Sequence, residues 1–186
     1  MNIKVFFDCE FSDISRNAGL ISIGLVAESD TEPPLYIEFA DGWSRDECST
    51  FVLTSVLPLL GRHNPQRLAR SDAAEKIKAW LDGLRGGDRE KQIVCLSDGG
   101  WDWRFLLNLF PLSEGELRWP SRFNIAGRMI HNYLPEDSGH LFNDALEVFF
   151  QKRGHDMRQR GGERHHALID ALALRHAWRV CQRAKE

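Results

Sequence analysis

The chain has 186 residues, 42% hydrophobic and 27% charged, with a formal net charge of −3. These values describe an ordinary soluble domain large enough for one core. They exclude a broadly basic nucleic-acid coat but leave room for a local basic strip. No apolar run approaches the roughly 18 residues a membrane helix needs, and Asp8 arrives too early for a secretory h-region. Cys9, Cys48, Cys95 and Cys181 lack CxxC or zinc spacing, so reduced thiols in a cytoplasmic protein are expected.

Ile3 to Phe11, IKVFFDCEF, reads as a first strand, Leu20 to Ala27 as a second and LYIEFA as a shorter third. Their short connections predict an antiparallel meander. Ser44 with Glu47 forms a capping-box pattern, predicting a helix that bends or stops near Pro58. A further helix follows Ser71, its Ala73, Ala74, Ile77, Trp80, Leu81 and Leu84 recurring at helical spacing until Gly86-Gly87. Gln92 to Ser97 is another strand, and SDGG leads into the helix WDWRFLLNLF, closed by Pro111. A short strand over Phe123 to Ile125 and a helix around Gly127 to Tyr133 come next. Helices over Asn143 to Lys152 and Ala167 to Arg183 complete the chain. Without a linker or repeat, the order predicts an α/β domain whose mixed sheet, a three-strand antiparallel meander plus parallel strands, is flanked by helices.

The first strand poses a chemical question. Asp8 and Glu10 project to one face while Cys9 points to the other. A lone DxE also suits the solvent face of an edge strand, so the pair needs support from elsewhere. At about 100° per residue, Asp102 lies centrally among Phe105, Leu106, Leu109 and Phe110, with Arg104 and Asn108 opposite; a helix cap is its competing role. Asp170 shares a face with Ala167, Leu174, Ala177, Trp178 and Cys181, while Arg175, Arg179 and Arg183 face outward. Asp144, by contrast, shares its side with Glu147 and Gln151, as a solvated residue should. Converging carboxylates repel without cations, and hard oxygen ligands select Mg²⁺ or Mn²⁺. A pair of such ions, about 3.5–4 Å apart, suits displacement at phosphorus. His165, placed on the loop or first turn before Asp170's helix, is the candidate base, because the positive helix end disfavours imidazolium.

The pattern Asp8-x-Glu10, Asp102, His165-x-Ala167-x-x-Asp170 resembles the DEDDh group of 3′→5′ exonucleases, on an RNase H-like fold, across nearly the whole chain. FFDCEF followed by LISIGLVAE is most similar to a small stand-alone exoribonuclease branch related to RNase T and oligoribonuclease. The resemblance implies that residues 1–186 form one 3′→5′ exonuclease domain. In it, Asp8, Glu10, Asp102 and Asp170 would hold two Mg²⁺ or Mn²⁺ ions and His165 would act as general base. It further implies a homodimer that releases nucleoside 5′-monophosphates from RNA. Two departures stand out. Relatives often carry His-Asn four or five residues before the middle Asp, where this chain has Ser97-Asp98. Asp98 is therefore either a weakened substrate contact or a further acid near the metals. The related DEDDy group places Tyr four residues before its last Asp, a position held here by His166, which competes with His165 for the role of base.

QKRGHDMRQRGGER, Gln151 to Arg164, suggests a basic strip in which Arg158, Arg160 and Arg164 guide a phosphate backbone; a solvated charged loop is the alternative. Phe11 is a candidate to stack on a terminal base or, equally, a core residue on the opposite strand face. Trp43, Trp101, Trp103 and Trp119 read as packing residues. Three rivals to the RNA exonuclease remain: a DNA exonuclease, an inactive nucleic-acid-binding module of the same fold, and an aspartyl-phosphate phosphatase. The last requires DxD, and Glu10 breaks that motif.

Overall fold

The computed structural model describes residues 2–110, 125–154 and 163–184. Two apolar faces of IKVFFDCEF, alternating along the strand, make β1 (Ile3–Phe11) the central strand of a six-stranded sheet. β2 (Leu20–Ala27) and β3 (Leu35–Phe39) complete the antiparallel meander expected from their short connections. β5 (Ile93–Ser97) pairs parallel to β1, and β6 (Ile125–Met129) parallel to β5. The short β4 (Gln66–Leu68) adds a parallel edge beside β3, giving the order β4-β3-β2-β1-β5-β6.

Helices cover both faces. Val5, Phe7 and Cys9 of β1 pack under α1 (Arg70–Leu84) and α2 (Gly100–Asn108), through Ile77 and Leu81 of the first and Phe105 and Leu106 of the second. On the other face Phe6, Val94 and Leu96 meet α3 (Gly139–Lys152) and α4 (Ala167–Arg183), through Phe142, Leu174 and Trp178. Gly24, the cross-strand partner of Asp8, permits a close approach here. A Cβ on it would lie 2.5 Å from the Ala167 carbonyl oxygen, so only glycine lets the start of α4 settle onto β2 beside Asp8. Similarly, Gly127 makes room for the Trp103 ring, which a Cβ would meet at 2.1 Å.

Several sequence expectations need correction. Ser44 and Glu47 do not open one long helix. Ser44 Oγ accepts instead from the Asp46 amide, at 3.3 Å, to cap a single 3-10 turn, Arg45–Glu47. A new helical run follows, in which the Val52 amide donates to Ser49 Oγ. It passes through a π-turn, Val52–Val56, into a 3-10 turn at Pro58. The helix expected around Gly127 to Tyr133 is β6 followed by a 3-10 turn, Ile130–Tyr133. Parallel pairing with β5 outweighs the local pattern there. The strand expected over Phe123 to Ile125 extends on to Met129, while Phe123 and Asn124 fall outside the described residues, as do Pro111 and Trp119. α3 begins at Gly139, ahead of the expected Asn143. The four cysteines are free. Among the described residues no helix is long and apolar enough to cross a membrane.

Candidate metal centre

β1 and β5 run parallel, and from them the chain leaves in opposite directions across the sheet. Ligand sites in α/β sheets favour such a switch point, beyond the carboxyl ends of the strands. Here Asp8 and Glu10 close β1, Asp98 directly follows β5, and Asp102 occupies the first turn of α2. At Glu10 the β1–β2 register shifts: Glu10 pairs with Ser22 and Phe11 with Leu20, leaving Ile21 over. Bulges of this kind re-aim side chains next to functional sites.

The acids fall into two adjoining groups. Carboxylate oxygens of Asp8, Asp98 and Asp102 lie within 4.8 Å of one another, and so do ligand atoms of Glu10, His165 and Asp170. Both groups line one open cleft of about 460 Å³. Asp102 is fixed by the Cys9 amide, which donates to its Oδ1 at 3.3 Å. Asp170 reaches back from α4 so that the His165 amide donates to its Oδ2 at 2.9 Å. That contact depends on His165 adopting φ 69°, a left-handed conformation that costs energy for a residue with a Cβ and clusters at functional sites. The adjacent His166 adopts extended backbone and caps α4, its carbonyl accepting from the Ile169 and Asp170 amides.

Crowding and burial make the carboxyls hard to ionise. Burial, reinforced by Asp98, pushes Asp102 up to about 7 against hydrogen bonds from the amides of Cys9 and Gly99. Burial likewise lifts Asp170 to about 8, opposed by the His165 amide. Asp8 and Glu10 rise well above the usual carboxylate range, through burial first and then their acidic neighbours. Asp170 Oδ1 is buried with no hydrogen-bond partner among the described residues. An orphaned buried acceptor is costly, and a cation beside it would satisfy both that oxygen and the surrounding charge. The donor set, carboxylates plus one imidazole, suits Mg²⁺ or Mn²⁺. Asp8, Glu10, Asp98, Asp102 and Asp170 thus form an acidic cluster that could hold divalent cations.

The two histidines diverge. His165 lines the cleft, edge-on to Phe51 with ring centroids 4.8 Å apart. His166 is buried away from it between Tyr36 and His63, at centroid distances of 4.5 and 4.9 Å, and burial lowers its pKa to about 4. Arg164 reaches the cleft while paired to Glu147 at 2.9 Å and lying over the Phe150 ring. Phe11 packs as a core-facing residue, stacking on Phe105 at 4.7 Å, and one side of it lines the cleft. Arg158 and Arg160 lie outside the described residues. Asp144 is exposed, as expected.

Sequence reasoning missed Phe51 and Ile14, cleft-lining side chains that are 51% and 73% exposed. Nothing in the local pattern around Phe51 separates it from the buried Val52. Trp101 also lines the cleft, in addition to packing on the core. Asp98, which the sequence offered as a weakened substrate contact or a further acid, lies beside Asp8 and Asp102 immediately after β5.

No family model matches the chain, and no curated protein matches it. Among solved structures it is similar to Pop2p of S. pombe in its Mg²⁺- and Mn²⁺-bound form, with a TM-score of 0.52 and 18% identity over 94% of this chain and 80% of that one. The architecture is an RNase H-like α/β fold, a mixed sheet flanked by helices.

Proposed function

We propose that the chain is a metal-dependent 3′→5′ exonuclease of the DEDDh type, releasing nucleoside 5′-monophosphates from RNA. One observation carries this reading: acids from β1, α2 and α4 meet His165 in a single open cleft, around a buried carboxylate oxygen that has no partner among the described residues. The similar Pop2p structure contains Mg²⁺ and Mn²⁺, which agrees with a cation requirement here. The preference for RNA and the assembly as a homodimer rest on the resemblance of the sequence motifs.

In this reading Asp8, Glu10, Asp102 and Asp170 hold two divalent ions. Once bound, those ions supply Lewis-acid activation of water and neutralise charge on the scissile phosphate. His165 accepts the proton of the attacking water from a ring that already faces the cleft. Its left-handed backbone is tied to Asp170 through the amide, so base and ligand are positioned together. Phe51 presents an exposed face on which the terminal base stacks, with Phe11 and Arg164 as further contacts. His166, packed against Tyr36 and His63, supports α4 rather than the chemistry.

The test uses 5′-end-labelled RNA and DNA oligonucleotides digested with Mg²⁺ or Mn²⁺, with EDTA and Asp102→Asn as controls. Stepwise shortening of RNA from the 3′ end, with mononucleotide products absent from both controls, is expected. Faster shortening of DNA would transfer the assignment to an exodeoxyribonuclease. Binding of either strand with no mononucleotide released would identify an inactive binding module.

A further inference from the structure

A second groove of about 490 Å³ lies between the outer surfaces of α3 and α4, near the β2–β3 connection. Four guanidinium groups, from Arg153, Arg175, Arg179 and Arg183, line it against one carboxylate, Glu28. In a chain of net charge −3 this is a local reversal of sign. Arg175, Arg179 and Arg183 recur every four residues on α4, about 6 Å apart along the axis, comparable to the spacing of phosphates along an extended strand.

The charges facing the groove are partly paired, and the pairing is itself informative. Arg175 and Arg179 both hold the Asp30 carboxylate, at 2.9 and 3.0 Å, although Asp30 is 71% exposed. Two guanidiniums gripping one exposed oxyanion form the kind of clamp that suits a phosphate, and the carboxylate end of both pairs faces solvent, where an ion pair contributes little. Glu28 is occupied by Lys4 and the Trp178 indole, and Arg153 pairs with Glu163. Arg183 has no acidic partner among the described residues; its Nε donates to the Arg179 carbonyl. Phe149 adds a half-buried aromatic surface, flanked by the Arg153 guanidinium at 4.8 Å and the His176 ring at 5.5 Å. Cationic grooves interleaved with aromatic faces are how single strands are held without sequence preference. The groove also adjoins the cleft in sequence. Phe149 and Leu172 line the one, Phe150 and Ala173 the other.

We propose that this groove binds the phosphodiester backbone of a single-stranded nucleic acid, as a second contact for the strand whose 3′ end enters the cleft. The inference rests on the nuclease reading. An acidic peptide would satisfy the arginines but not the aromatic surface, so a strand is the better occupant.

Chelation isolates the groove, because the cleft without cations offers a phosphate no metal to bind. A labelled 20-nucleotide single-stranded RNA is titrated in EDTA at several salt concentrations, with the parent protein and with Arg179→Gln/Arg183→Gln. Removing two phosphate contacts should weaken binding roughly tenfold and flatten the log–log salt slope by about 1.4. With Mg²⁺ present, the KM of the long strand should rise severalfold more than that of a dinucleotide. Arg183→Glu alone, at an exposed position, serves if the double variant fails to fold. An unmoved affinity and slope, or an equal rise in both KM values, overturns the groove. So does polyglutamate of matched length competing as well as the strand. A strand bound in EDTA but left uncut with metal sinks the nuclease reading alone, whereas normal cutting with an unmoved slope sinks the groove alone.

Discussion

The two halves of β1 are buried to similar depth yet obey opposite rules. Val5, Phe6 and Phe7 are fully buried and packed against helices on both faces. Three residues later Glu10 is only 9% exposed, yet the side chains grouped with it are the acid Asp170 and the imidazole of His165 rather than apolar packing partners. The first half stabilises the fold by removing apolar surface from water. The second half works against the fold, since burial and then neighbouring acids raise the Glu10 pKa, and Asp170 Oδ1 beside it has no hydrogen-bond partner among the described residues. A strand that follows the packing rules at one end and breaks them at the other marks a candidate functional site.

That contrast can be broken by neighbouring substitutions. Asp8→Asn should lower phosphodiester hydrolysis by roughly 10³-fold or more, because a metal ligand contributes several kcal/mol to the transition state. In EDTA at pH 8 the same variant should melt no lower than the parent, having lost a buried charge. Phe7→Ala should do the reverse, costing about 3–5 kcal/mol of stability as measured by urea denaturation. If Asp8→Asn were instead as destabilising as Phe7→Ala, the acids would be structural.

The histidine pair sharpens the same comparison. His165→Ala should slow turnover about 10²–10⁴-fold with Mn²⁺ still bound, whereas His166→Ala should lower the melting temperature more than turnover. Activity that survives in His165→Ala and disappears in His166→Ala would exchange their roles.

Stability should also depend on pH in a direction fixed by the carboxyls. Asp102 and Asp170 are raised to about 7 and about 8, against about 3.9 for an unfolded aspartate. Between these values the native state binds more protons than the unfolded one. Their contribution is therefore complete below about pH 4 and is lost as pH rises through about 7 to 8. Melting of the EDTA-treated protein should fall from pH 6 to pH 8.5, and Mn²⁺ should restore most at the high end. A flat profile would mean that the acids ionise freely. The smallest effect is expected for Phe51→Ala, which should raise the KM of RNA by the roughly 1–3 kcal/mol of one stacked base and leave the melting temperature in place.

Much of this was legible in the sequence where patterns are long. β1 and β2 match their expected spans, and α4 carries a stripe wide enough to place Asp170 inward and Arg175, Arg179 and Arg183 outward. Short elements were not legible. QRL, the edge strand β4, is three residues long, none of them fully buried, and exists through pairing with β3. IAGRM reads weakly as a strand until β5 supplies its partner. The π-turn at Val52–Val56, and with it Phe51 at the cleft, depends on tertiary contacts to Ile21 that no local pattern encodes. The left-handed backbone of His165 is likewise invisible in sequence, although its place before α4 was not.

The most direct measurement is calorimetric titration of Mn²⁺ into the metal-free protein at pH 7, repeated in buffers of different ionisation enthalpy. Two ions per chain should bind and expel protons from the elevated carboxyls, and Asp170→Asn should reduce both the stoichiometry and the proton release. Absence of Mn²⁺ uptake, or uptake that Asp170→Asn leaves unaltered, would contradict the account.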